Sequence, residues 1–208
     1  MSSPTKLSPV KVRAPLSAKR GSLAGAAKRG DDLQLLEFDP TQHLDELTEL
    51  LKRDSDEEVR REFMYPAVQG RAELNAENVR RVIVHLRLRN EHAVGLRVVI
   101  RTSYSSEITV GHAEIVKSHS ADDSAHIAKF YVSKVFRKRG YEEKALVAVV
   151  QRAFEFFSVS KLVVSSFESN EYFIKLLMQL GFRLSKAYSK SIIEQKRYYL
   201  VLSRAQFD

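Results

Sequence analysis

Cysteine is absent from the 208 residues. That excludes a disulfide framework and any cysteine-ligated zinc site, and it fits a reducing, intracellular compartment. No apolar run approaches the ~20 residues of a membrane-spanning helix, so no membrane segment is expected. The opening stretch MSSPTKLSPVKVRAPLSAKR has no apolar core of the kind a secretory signal carries. Acidic residues are missing altogether from positions 1–30, where Lys6, Lys11, Arg13, Lys19, Arg20, Lys28 and Arg29 stand. The net charge of +8 therefore resides there, since the remainder holds 27 basic and 26 acidic residues. Three of the five prolines fall in the same stretch, which has too little apolar surface to offset its ordering entropy. Residues 1–31 are expected to be a disordered basic tail, and 32–208 a folded domain. The tail reads as a solvated leader, a mitochondrial presequence, or a nuclear arm that touches nucleic acid or an acidic protein. In the nuclear case Ser3-Pro4 and Ser8-Pro9 offer proline-directed phosphorylation sites. A nuclear location is favoured over a cytoplasmic one.

Apolar residues make up 44% of the chain, enough for a core in the body. LQLLEFD (33–39) reads as a strand stopped by Pro40. Thr41 is expected to cap a helix over 42–53, with Leu44, Leu47, Leu50 and Leu51 at helical spacing. Ser55 and Glu58 form a capping box opening a helix that Pro66 ends. Residues 72–90 read mainly as helix, although RVIVHLRLR also alternates like a strand. Strands over 94–104 and 107–118 form a hairpin, and 125–134 is a third strand. The helix 141–158 puts Ala145, Leu146, Val149, Val150, Ala153 and Phe157 on one face. A buried strand (161–169), a short helix (170–180) ended by Gly181, and a last hairpin complete the body. This order predicts a mixed α/β fold with a mostly antiparallel sheet, one parallel pair, and helices on both faces.

The stretch FYVSKVFRKRGYEEKAL (130–146) runs a strand into Arg137, Lys138, Arg139 and Gly140, with a helix beginning at once. Outward amides, positive charge and a helix N-terminus suit an anion, most often a phosphate. Gly140 lets a ligand approach the main chain. A strand, R-x-x-G and a helix in this order resemble the pyrophosphate motif of the GNAT superfamily of acyl-CoA N-acyltransferases. A second landmark is similar: Asn170, Phe173, Leu176, Leu177, Gly181 and Phe182 match the superfamily's N-x-x-A-x-x-L-Y-x-x-x-G-F spacing. The resemblance covers about residues 32–206.

The resemblance implies a GNAT-like fold in which strands 125–134 and 161–168 splay apart. Acetyl-CoA would lie in that cleft, with its pantetheine arm along Tyr131, Val132 and Ser133. Its diphosphate would lie over Arg137, Lys138, Arg139, Gly140, Tyr141 and Glu142, with Asn170 on the pantetheine side. An amine, on a protein or a small molecule, would attack the thioester directly, with no metal. Three positions depart from the pattern. Glu142 replaces a small residue on the anion turn, and is expected to turn into solvent or pair with Arg139. Phe173 replaces alanine. Leu177 replaces the tyrosine that protonates the leaving thiolate, and leucine donates no proton. Tyr172 is a substitute acid. His126 falls where related enzymes carry a basic glutamate, and a histidine near its ordinary pKa of about 6.5 suits a general base. Glu168 is a second candidate base. His112 and Glu114 share a strand face and read equally well as surface residues. The departures also motivate an alternative: a catalytically inactive GNAT-fold protein serving as an interaction module.

Overall fold

The computed structural model describes residues 10–11, 32–54, 63, 74–83, 92–101, 106–118, 122–137, 139–185 and 197–207. The Ser55/Glu58 capping box, Lys138 and all of 84–90 lie outside them. The elements are β1 (Val10–Lys11), β2 (Asp32–Glu37), α1 (Pro40–Arg53), α2 (Ala76–Val82), β3 (Ala93–Arg101), β4 (Glu107–Lys117) and β5 (Ser124–Val132). After these come α3 (Lys134–Arg137), α4 (Tyr141–Phe157), β6 (Lys161–Phe167), α5 (Glu171–Gln179), β7 (Arg183–Leu184), β8 (Arg197–Ser203) and α6 (Arg204–Phe207).

The strands form one sheet of order β1-β2-β3-β4-β5-β6-β8-β7. Every described pairing is antiparallel except β5 with β6. This is the mixed sheet expected from the element order. Within the segment 1–31, Val10 and Lys11 pair with Leu35 and Gln34 at the sheet edge.

Helices cover both faces of the sheet. On one side α4 and α5 bury Leu146, Val149, Val150 and Leu177 against Val98, Ile115, Ile127 and Leu162. On the other, Leu44, Leu47 and Leu51 of α1 and Val79 and Val82 of α2 pack with Phe38, Phe63 and Tyr131. Leu44, Leu47, Thr48 and Leu51 share one helical stripe, the spacing read from the sequence. The start of α1 differs from that reading. Asp39 is the cap, accepting from the Thr41 amide at 2.8 Å, and Pro40 occupies the first helical position. Proline is favoured there because its missing N–H is not needed, so it begins this helix rather than merely stopping the strand.

Two register shifts shape the middle of the sheet. One bulge lies between Val98 and Val99 of β3, where Val110 of β4 is skipped. The other lies between Glu114 and Ile115 of β4, where Ala128 of β5 is skipped. Gly111 lies beside the first: a Cβ there would stand 2.2 Å from the Tyr131 carbonyl oxygen. Only glycine allows β4 and β5 to approach this closely.

Candidate active site

The parallel ladder between β5 and β6 has four pairs and ends at Ile127↔Val164. β5 continues to Val132 and β6 to Phe167, so the strands diverge beyond that point. The skipped Ala128 directly follows the last pair. A bulge bends its strand and increases the local twist, which gives the divergence a local cause. The result is a wedge, open at the C-terminal ends of two parallel strands, where α/β sheets commonly bind ligands.

The residues expected along the pantetheine arm border this wedge. Tyr131 and Val132 point to opposite faces, Tyr131 into the α1 layer and Val132 into the α4 core. Burial first, then the Asp54 carboxylate, push the Tyr131 hydroxyl far above its ordinary pKa. The main chain of Ser133 is engaged internally: its N–H donates to Val110 O at 2.8 Å, and its carbonyl accepts from Phe136 and Arg137.

The anion turn is built differently from the sequence reading. The helix does not follow the strand at once, because α3 intervenes. The amides of Phe136 and Arg137 donate to Ser133 O, that of Arg139 to Phe136 O at 3.1 Å, and that of Gly140 to Arg137 O at 3.0 Å. These four amides stabilise the turn and do not point outward as a ligand cradle. Gly140 still has a specific role: it is the left-handed N-cap of α4 at φ 76°, and it makes no side-chain cap bond among the described residues. Arg139 is exposed, whereas the Arg137 side chain is 10% exposed and lies 3.5 Å from Asp54 Oδ2.

Glu142 does not turn into solvent. It is 5% exposed in the first turn of α4 and takes a hydrogen bond from the Tyr172 hydroxyl at the start of α5. Tyr172 is 56% exposed. Partial burial, then the charge of Glu142 and that hydrogen bond, hold its hydroxyl in the protonated form above its ordinary range, while Arg137 acts in the opposite sense. Arg137, Glu142 and Tyr172 therefore meet at the mouth of the wedge.

Asn170 caps α5, its side-chain oxygen accepting from the Phe173 amide at 3.3 Å. Phe173 stacks on Phe130 with ring centroids 5.4 Å apart and planes 8° from parallel. The stack spans the divergence from β5 to the helix that follows β6. Leu177 is fully buried core.

The three candidate proton-transfer residues are not gathered together. His126 is half-buried in the paired seam opposite Val163, five residues and roughly 16 Å of strand before Tyr131. Burial lowers its pKa, and the Asp122 charge partly opposes this. Glu168, just past β6, is exposed and accepts from the Tyr198 hydroxyl at 2.6 Å. Tyr172 lies across the mouth, on α5.

Sequence reasoning missed Asp54, whose partners are 77 to 83 residues away. His112 and Glu114, which the sequence left open between a shared strand-face pair and surface residues, are not on the surface. Both are fully buried, with His112 Nε2 3.1 Å from Glu114 Oε1 and the Phe38 ring edge-on at 4.5 Å. Lys129, the cross-strand neighbour of Glu114, is buried and donates to the Phe63 carbonyl. Among the described residues, no group of three or more His, Asp or Glu side chains is placed to hold a metal ion, and no helix is long and apolar enough to cross a membrane.

A family model described as an acetyltransferase (GNAT) domain matches residues 33–183. No curated protein sequence matches the chain. Similar solved structures include a spermidine N-acetyltransferase from Vibrio cholerae in complex with CoA and spermine, at 10% identity and TM-score 0.63, covering 84% of this chain and 97% of that one. A GCN5-related N-acetyltransferase from Brucella melitensis is 12% identical, with TM-score 0.64 and coverage of 87% and 79%. The microcin C7 self-immunity acetyltransferase MccE, in complex with acetyl-CoA and AMP, is 16% identical, with TM-score 0.62 and coverage of 88% and 97%. At these identities the likeness is one of fold.

Proposed function

Because the chain belongs to the GNAT acetyltransferase family, we propose that it transfers an acetyl group from acetyl-CoA to an amine by direct attack. The observation that carries this reading is the wedge, where the β5–β6 ladder stops at Ile127↔Val164 while both strands continue. The pantetheine arm lies along β5 between Ala128 and Ser133. The diphosphate rests on the first turn of α4, with Arg137, Lys138 and Arg139 supplying positive charge. Asn170 supports the arm by fixing the start of α5. The amine nitrogen attacks the thioester carbonyl and loses its proton to a base. The carbon–sulfur bond breaks, and the thiolate is protonated. Tyr172 suits the acid because its environment keeps the hydroxyl protonated. His126 suits the base because burial keeps its ring neutral near pH 7, with Glu168 second.

The acceptor is a protein amine, a lysine or an N-terminus, or a small amine. The basic segment 1–30 and its Ser-Pro pairs support a nuclear or chromatin partner, and salt-sensitive contact with nucleic acid as an accessory property. The spermine-bound neighbour supports a small amine. Calorimetry with acetyl-CoA, followed by thiol release in the presence of peptide and polyamine acceptors, tests the reading. Heat of binding and thiol release are expected. No heat at high micromolar acetyl-CoA overturns it.

One observation favours a second reading, an inactive module. Glu142 is buried at the mouth, where its carboxylate opposes a diphosphate. That reading expects a stable fold without transfer, and tight acetyl-CoA binding removes its support.

A further inference from the structure

Asp54 closes α1 where a carboxylate is out of place. The C-terminal end of a helix carries partial negative charge and favours cations, and α1 has Lys52 and Arg53 in its last turn. Asp54 follows as the C-cap residue with its side chain fully buried. A buried carboxylate there must be compensated by donors. Three reach the same oxygen, Oδ2: the Tyr131 hydroxyl at 2.7 Å, the Lys134 amide at 2.9 Å and Arg137 NH2 at 3.5 Å. Tyr131 comes from β5 where the wedge opens, and Lys134 and Arg137 are the two ends of α3. One oxygen thus ties α1 to the diverging strand and to the turn that leads into α4.

The three contacts are unequal. The two short bonds hold the oxygen between β5 and α3. The guanidinium contact is the longest and uses one of five N–H donors. It fixes where one end of the guanidinium lies. Glu142 stands on α4, in the same mouth as Tyr172. Asp54 stands behind Arg137, on the α1 side. The two carboxylates therefore bear on the anion site in opposite ways: one crowds the mouth, and the other steadies the cation that faces it.

We infer that Asp54 is a positioning residue for the diphosphate site, setting the orientation of Arg137 and the start of α3. This rests on the acetyl-CoA reading above. The informative substitution is Asp54→Asn. Its amide oxygen still accepts from Tyr131 and Lys134, so the anchors persist, while the charge that holds Arg137 is lost.

The experiment compares acetyl-CoA with S-acetylpantetheine, which has the same thioester and no diphosphate. For Asp54→Asn, KM for acetyl-CoA is expected to rise roughly tenfold, with kcat and the S-acetylpantetheine kcat/KM each changed less than about twofold. In an Arg137→Ala background, Asp54→Asn is expected to add less than about twofold, because the effect passes through the guanidinium. Equal losses on the two thioesters, no loss on either, tighter acetyl-CoA binding, or full additivity with Arg137→Ala each overturn the inference. Should Asp54→Asn fail to fold, Asp54→Glu keeps an acceptor and moves the charge by one methylene away from its contact with Arg137. The same contrast between thioesters is then expected at smaller size, and its absence overturns the inference. A wild type inert towards both thioesters refutes the transfer reading and this inference together. An active wild type with an unselective Asp54→Asn refutes this inference alone.

Discussion

Replacing Glu142 by glutamine removes one negative charge from the mouth of the wedge and keeps an acceptor for the Tyr172 hydroxyl. Glu142 is 5% exposed, so water screens it poorly. At roughly 5 Å, two like unit charges repel by about 3 kcal/mol at an effective dielectric of 20, and by about 0.8 kcal/mol in bulk water. Arg137 nearby offsets part of this, so the gain should fall at about 1–3 kcal/mol, or about 5- to 150-fold in the dissociation constant. Paired calorimetric titrations of wild type and Glu142→Gln with acetyl-CoA read it directly. S-acetylpantetheine is the control, since without a diphosphate its affinity should not move. An unchanged or weakened acetyl-CoA affinity in a variant of normal thermal stability refutes the reasoning. It would mean that the diphosphate is not held near the first turn of α4.

Gly111→Ala forces a Cβ to within 2.2 Å of a backbone carbonyl oxygen, so β4 and β5 must part. A loss of about 3 kcal/mol or more is expected, read as a Tm drop of about 6–12 °C; a shift under about 2 °C contradicts the register. Burial depresses the His126 pKa, so folding favours the neutral ring. Its stability contribution is complete above the unfolded pKa of about 6.5 and is lost as pH falls below it. If His126 is the base, the acid limb of kcat/KM lies below pH 6.5 and disappears in His126→Ala. A limb that survives that substitution moves the role to Glu168.

The elements with strong apolar patterning were legible in the sequence. The stripe of α4, the apolar run of β6 and the Asn170 to Gly181 frame of α5 follow from local spacing alone. So did the order that places β5 beside β6. What escaped depends on contacts distant in sequence. Asp54 looks like one more surface acid after Arg53 until Tyr131 and Arg137 are folded onto it. His112 and Glu114 alternate with apolar neighbours as solvent-facing residues would, yet α1 and Phe63 cover that face of the sheet as well. The anion turn was misread because a four-residue helix leaves little sequence signal, and that helix consumes the amides assigned to a ligand. Lys138 lies outside the described residues, so its placement in the site rests on the sequence.

The β5–β6 seam has a mechanical consequence. Among the described residues, four pairs, Ser124↔Lys161 to Ile127↔Val164, make the strand-to-strand bond between the five-stranded and three-stranded halves. Below the seam the halves share the α4 core; above it they part. A molecule seated in the mouth acts as a spacer, setting the angle at which one half leans on the other. The alternate amides of Lys161–Val164 that face β5 rather than β8 are the natural strain gauge, and their exchange with deuterated solvent should slow as the mouth fills.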